Sequence, residues 1–550
     1  MSKMGCADAS TRRENPCHLG LLVCSGLVLI LVCCYWNRIA LGGTYGDADA
    51  WVVDLARPVS VLYESLVGPI ESDPEGLPQI HRITQIIGSW LVATVAYFMG
   101  VLLVLRRPAS FAGTGFELIV AVSVLCRIIP VFSPPMLETD PCRYLWDGAS
   151  VANGINPYRY APAEVLSFKL GRHRPDGPEA GELAVLARLS DHHRLNWHFM
   201  HINHPAVPTI YPPLAQVLFS LAYRIAPGEV MVEKALVALL DVGILCLVTA
   251  LLPLVGQPRC LVLIYGWCPM VLKEYIQTGH YDPVATLCLL GSLYLLVRGY
   301  RVLGGVYLGL AALGKLYPLV VLPALIRRIG WQGTLSCLLT ILLLWAPYLG
   351  IGSKAFEGLR VYNREWVMNA SVFSLVRENA LRYLDAARAD AKPTEGGHAL
   401  RRSKAVEQEL QITSLAGTKL VMGLILLPFL CWLAVRPDTT PRQIVGKAFA
   451  AVAALFILSP VGNPWYCAWL LPFAALFGRV SWVVLSSTMV GYYAFWTFHS
   501  YTLSVSGLPW PIDLRLLEYG PFFLILIVEE WIHRTGQVDQ GPTAGQEPSP

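Results

Sequence analysis

Charge is scarce in this sequence. Asp, Glu, Lys and Arg make up 15% of its 550 residues, against roughly 25% in a soluble protein. The deficit runs along the whole chain, which leaves no room for a large soluble domain. Net charge is also small: 42 basic against 38 acidic residues leaves +4. That is too little and too dispersed for a nucleic-acid partner, so the positive residues bear on membrane topology instead. No C-x-x-C pair with metal-ligand spacing occurs. Most of the 14 cysteines sit inside apolar runs (Cys24, Cys33, Cys126, Cys268 and Cys337 among them), where they act as small hydrophobes. The long polar stretches contain only Cys142, so neither a disulfide framework nor a zinc site is expected. Heptads, short repeats and Gly-rich nucleotide-binding loops are missing too. So is a matched pair of Gly/Pro-broken helices in two halves, which weighs against a carrier built from inverted repeats.

What the chain has is apolar length: 55% of it is hydrophobic. A helix needs about 20 apolar residues to cross a bilayer. Candidate spans lie near 19–37, 85–105, 114–133, 231–254, 259–276, 283–297, 303–326, 332–350, 417–435, 444–460, 464–478, 481–499 and 516–532. The 303–326 segment reads as two short helices meeting at Gly314-Lys315. The 210–226 stretch, opening Tyr211-Pro212-Pro213, is shorter and reads as a half-embedded helix. The fold expected is an all-α integral membrane bundle of about 13–14 helices.

Orientation follows from short basic connections. Arg106 with Arg107, Arg298 with Arg301, Arg327 with Arg328, Arg436 with Arg442 and Lys447, Arg479, and Arg534 mark cytoplasmic ends. Residues 1–18 are then a cytoplasmic N-terminus, and the run after Lys3, Arg12 and Arg13 is a retained first span, too long for a signal peptide. Residues 19–534 form one polytopic domain. Residues 535–550, rich in Gly, Pro and Gln, form a disordered cytoplasmic tail. Outside lie a loop at about 38–84 and two long polar loops at about 134–208 and 351–415.

The chemistry-bearing residues gather at the outer side. Asp140 stands just beyond an apolar helix that ends in Pro130 and Pro134. An acid there, beside water and headgroups, suits deprotonation of an acceptor hydroxyl; its plainer reading is an exposed loop carboxylate. Asp147 reads as a helix or turn cap before Gly148. Arg143 and Arg127 are placed to hold a phosphate by charge-assisted hydrogen bonds. Tyr144, Trp146, Tyr158 and Tyr160 offer flat faces to sugar rings, although belt aromatics are ordinary at an interface. In Thr-Gly-His-Tyr-Asp-Pro, His280 reads either as a donor to phosphate or as part of a turn, with Asp282 as an N-cap before Pro283. Lys315, between two apolar helices, is costly unless paired or wet, and reads by default as a functional residue that holds the donor phosphate, or else as a cation snorkelling to an interface. Lys273 and Glu274 pair with each other or reach headgroups, and Asp241 is buried against a cation. Arg364 and Trp366 belong to an amphipathic surface helix or an acceptor groove. Trp465, in Asn463-Pro-Trp-Tyr466, shapes a pocket or joins the aromatic belt. Glu138-x-Asp140 and Asp47-x-Asp49 are acid pairs suited to Mg²⁺ or Mn²⁺, though two carboxylates are weak grounds for a metal.

Five blocks carry a resemblance: DPCRYLWDGASVANGINPYRYAP from Asp140, INHPAVPTIYPPLAQVLF from Ile202, GHYDP from Gly279, GKLYPLVVLPAL from Gly314 and NPWYCAWLLPF from Asn463. In this order they resemble bacterial multispanning mannosyltransferase-like proteins of the GT-C superfamily, relatives of the polyprenol-phosphate-mannose-dependent mannosyltransferases, over roughly residues 115–480. The resemblance implies a GT-C-like bundle in the cell inner membrane with its site facing the periplasm or exterior. It further implies a polyprenyl-phosphate sugar donor, a lipid or glycan acceptor, and inversion at the anomeric carbon. Its catalytic acid matches Asp140, with Arg143, Tyr144, His280, Lys315, Arg127 and Trp465 around the substrates. One departure stands: the family's acid lies in the first outer loop, where this chain has Asp47 and Asp49. The competing reading is a glycolipid or polar-solute transporter or flippase. That reading calls for polar residues at the bilayer midplane rather than at one face. A blander one is a membrane scaffold whose loops bind partners.

Overall fold

The computed structural model describes residues 16–40, 77–390, 404–493 and 512–538. The Asp47-Ala-Asp49 pair and the tail beyond Val538 lie outside them. Among the described residues the chain is helical and has no strand; its one bridge joins Met368 to Val461. Seven helical stretches among these residues are long and apolar enough to cross a membrane: Pro16–Ala40, Ile83–Arg106, Thr114–Phe132, Val230–Leu254, Ile326–Glu365, Leu410–Val435 and Pro441–Leu458. Three shorter apolar helices join them: Pro283–Val297, Arg301–Gly314 and Pro464–Phe477. Leu31, Leu342, Leu343, Leu420 and Leu424 are more than half exposed on such helices. A continuous apolar surface of that kind needs hydrocarbon, not water, as its solvent. The chain is a multi-pass all-α membrane protein.

The termini of these helices follow local rules. Thr440 opens Pro441–Leu458 with a capping box. Its hydroxyl accepts from the Gln443 amide (3.2 Å) and the Gln443 side chain accepts from the Thr440 amide (3.1 Å). Arg301–Gly314 meets Ile326–Trp345 through glycine: a Cβ on Gly305 would fall 1.9 Å from the Gly333 carbonyl oxygen.

The expected span 259–276 takes a different form. Pro269 divides it and Pro258 precedes it, and it winds through a 3₁₀ turn, two short α segments and a π-turn at Leu272–Gln277. Every residue from 260 to 286 is buried. Broken backbone at this depth is tolerated because protein, not lipid, surrounds it. The helix Pro213–Ile225 is about 20 Å long at 1.5 Å per residue, short of the roughly 30 Å hydrocarbon core.

Arg127 is a tie in this core and not a cavity residue. Its Nε donates to Asp241 Oδ2 (2.5 Å), and its Nη1 donates to the carbonyls of Ser123 (2.9 Å) and Gly266 (2.8 Å). The Tyr265 hydroxyl also donates to Asp241. The guanidinium is spent on three segments of its own chain, which removes it from the phosphate contacts the sequence suggested.

Candidate active site

The helix Asp140–Ala152 carries the block that opens at Asp140. Two side chains fix the approach to it. Lys234 Nζ donates to the carbonyls of Pro130 (2.6 Å) and Ser133 (2.5 Å). Gln277 Nε2 donates to the Pro134 carbonyl (2.8 Å), and its Oε1 accepts from the Met136 amide (3.1 Å). So held, Leu137 adopts φ 68°, a left-handed conformation that costs a non-glycine residue of order 1–3 kcal/mol and persists only where neighbours impose it. Asp140 follows three residues later, at the first turn.

The far face of this helix packs on Pro213–Ile225 at Gly148, where a Cβ would lie 2.3 Å from the Phe219 carbonyl oxygen. Backbone cannot yield as a side-chain tip can. Gly148→Ala is therefore expected to cost about 1–3 kcal/mol and to displace Asp140 from its seat. Thermal unfolding in detergent checks the first effect; an unchanged melting temperature would refute it.

Asp140 lines a cavity of about 1260 Å³. Glu138, Arg143, Lys315, Arg360 and His204 bring its other acidic, basic and imidazole groups. Aromatic rings make two walls. Tyr144, Tyr211 and Tyr281 meet edge to face at 5.1 to 5.2 Å. The lining also holds Trp465, Tyr466 and Trp469, the last two stacked at 4.4 Å. Ile39, Ile83, Ile86, Leu455 and Phe456, all from candidate spans, give the cavity an apolar side.

Of the residues singled out in sequence, Asp140, Arg143, Tyr144, Lys315, Trp465, Asn463 and Trp366 come together here. Others do not. Tyr158 packs against Trp345 and Tyr348, Tyr160 donates to Glu182 (2.8 Å), and Trp146 packs on Phe199; none of the three lines the cavity. Arg364 is exposed and pairs with Glu365.

Two cations in the wall are partly committed. Arg143 Nη2 donates to the carbonyls of Asn203 (3.2 Å) and His204 (3.1 Å), pinning the 203–212 loop to the site. Lys315 Nζ donates to Asp282 Oδ1 (2.6 Å), which also accepts from Trp469 Nε1 (2.6 Å). Asp282 stands at the N-cap position, but its carboxylate caps nothing; it holds Lys315.

His280 is fully buried and stacked on Trp465 at 4.1 Å, just behind the lining. Its Nδ1 is 3.8 Å from Asp140 Oδ2 and 3.4 Å from the Tyr144 hydroxyl. It has no direct line to a substrate phosphate. Glu274, which sequence reasoning paired with Lys273 or sent to the headgroups, lies 3.4 Å from His280 Nε2. The sequence hid this because the π-turn and Gly279, at φ 89°, fold residue 280 back on residue 274. The Trp465 and Trp469 pair did have a signal, an i, i+4 spacing that places both rings on one helix face.

Electrostatics distinguish the carboxyls around the site. Burial, followed by the charge of Asp140, pushes the Glu138 carboxyl above the usual range. Burial lifts Asp147 to about 6 against the opposing pull of Arg143 and of its Thr209 and Gln216 hydrogen bonds. A carboxyl raised by folding favours the native state below its ordinary value near 4 and loses that contribution as pH rises through about 6. Asp147→Asn is therefore expected to gain on wild type between pH 5 and pH 8, by about 1–1.5 kcal/mol. Melting curves at the two pH values check this; parallel curves would contradict it. Among the described residues no group of three or more His, Cys, Asp and Glu side chains is arranged to hold a metal ion. No protein-family model, curated protein or solved structure matches this chain.

Proposed function

We propose that this protein is a membrane glycosyltransferase of the GT-C kind. It moves a hexosyl group, mannosyl by the sequence resemblance, from a polyprenyl phosphate to a lipid or glycan acceptor at the extracytoplasmic face. One observation carries the reading: Asp140 stands in the wall of a cavity where aromatic faces, cationic groups and apolar side chains from membrane spans converge. Each component answers a part of the substrate. Aromatic faces suit sugar rings, the apolar side suits an isoprenoid, and Arg143 and Lys315 suit a phosphate.

In this reaction Asp140 takes the proton of the acceptor hydroxyl. The oxygen attacks the anomeric carbon from the side opposite the phosphate. The carbon–oxygen bond to phosphate breaks, and its electron pair leaves on the phosphate, stabilised by fixed positive charge. A lipid donor also suits a site beyond the cytoplasm, where nucleotide sugars are not supplied.

The test is transfer in proteoliposomes, using polyprenyl-phosphate mannose labelled in the sugar and a panel of lipid and glycan acceptors. Labelled acceptor product is the expected result. Movement of intact donor across the bilayer with no new glycosidic bond would replace the enzyme with a flippase.

A further inference from the structure

The polar groups behind the cavity form a file that the transfer reaction as stated does not use. It starts at Asp140, passes His280 and ends at Glu274. His280 and Glu274 are both fully buried, and neither lines the cavity. Nothing in a bundle of this kind requires an imidazole between two carboxylates: burying such groups costs free energy unless they serve one another. The backbone is bent to bring them together, by a π-turn of the kind that recurs at functional sites.

We propose that His280 is a positioning residue that orients Asp140 and receives its proton, with Glu274 stabilising the imidazolium that results. This rests on Asp140 being the base. The proton of the acceptor hydroxyl first bonds to Asp140 as the glycosidic bond forms and the phosphate leaves. It then passes to His280 Nδ1, which must be the unprotonated nitrogen, with the other proton on Nε2 toward Glu274. After product departs, the proton returns through Asp140 to water entering the cavity. No oxidant or further reactant is needed. The 3.8 Å from Nδ1 to Asp140 is longer than a hydrogen bond, as substrate-free sites often are.

The surroundings fit this role. Trp465 stacks on the ring at 18° to its plane and fixes its orientation. Tyr144, from the Asp140 helix, faces Nδ1 and offers it a hydroxyl. Lys273 lies 3.2 Å from Glu274, and the Tyr493 hydroxyl donates to Glu274, so that carboxylate is held in place. Glu138 sits two residues from Asp140 in the lining. Of the neighbouring charges outside the file, Asp282 is bound to Lys315, and Lys234, whose stem lies against Gly279 beside buried Glu233, gives its ammonium to the Pro130 and Ser133 carbonyls.

The variants are His280→Gln and Glu274→Gln, assayed in proteoliposomes with polyprenyl-phosphate mannose. Both should lower kcat by about 100-fold, the low end for a general base. Donor KM should stay within about twofold, since neither residue reaches the donor, and the acidic limb of the kcat–pH profile should move. Loss confined to donor KM, or full activity, overturns the proposal. A second measurement does not depend on catalysis: NMR titration of labelled histidines in nanodiscs, with His280 identified by its loss in His280→Gln. Its pKa should fall in both Asp140→Asn and Glu274→Gln, because each removes a negative charge that favours imidazolium. A His280 titration unmoved by either substitution overturns the file whether or not any transfer is seen. Absence of transfer by wild type alongside a moved titration would instead remove the glycosyltransferase reading and the base role of Asp140 with it.

Discussion

Asp140→Asn lowers the rate of sugar transfer by about 10²- to 10⁴-fold, the range a positioned general base contributes. The substitution keeps the shape of the side chain and removes its capacity to take a proton. Little else depends on it. Asp140 is about one-quarter exposed, and the His280 ring nitrogen facing it is 3.8 Å away. The protein should fold, reach the membrane and bind donor with KM within about twofold of wild type. Full activity would move the base elsewhere, with Glu138, Asp47 and Asp49 next in line. Loss of activity together with loss of fold would mean the acid is structural, and a detergent melting curve separates that outcome from loss of chemistry.

Lys315→Met destabilises the protein by about 3–5 kcal/mol, the cost of stranding a buried charge. Asp282 is fully buried, and its Oδ1 takes both Lys315 and Trp469, while Oδ2 has no partner. Removing the lysine leaves that carboxylate with a single indole donor. The double variant Lys315→Met/Asp282→Asn should recover most of the loss, since a neutral pair needs no counter-charge. That rescue makes the donor question answerable. Lys315 lines the cavity with its ammonium 4.3 Å from the Tyr466 ring centre. If it also meets the donor phosphate, the stable double variant shows a raised donor KM. An unchanged KM there would leave Lys315 as a structural cation only.

The sequence made the membrane class plain because the signal is coarse: apolar runs long enough for hydrocarbon, broken by short arginine-rich connections. It also brought Asp140, Arg143, Tyr144, Lys315 and Trp465 forward as polar or aromatic groups beside apolar helices. What stayed illegible depends on contacts remote in sequence. Arg127 and Asp241 are 114 positions apart, and nothing local distinguishes a cation that ties helices from one that waits for phosphate. Lys234 and Gln277 lie in apolar stretches far from residues 130–136, so their grip on the loop before Asp140 has no local trace. The 259–276 run read as one span because its composition is apolar throughout. Pro258 and Pro269 were visible, but only tertiary packing tells a broken buried segment from a kinked span. The spacing of Gly305 and Gly309 was present in the sequence as a close-packing motif; Gly148 had no such signature, since its partner is the backbone of Phe219.

The anomeric configuration of the product tests the central claim most directly. One carboxylate that deprotonates the acceptor, with no enzyme nucleophile, permits a single displacement and so inverts the sugar carbon. NMR of the glycoside formed from a donor of known configuration should show the opposite configuration in the product. Retention would require a covalent glycosyl intermediate, and Asp140 would no longer be the base of a single-step transfer.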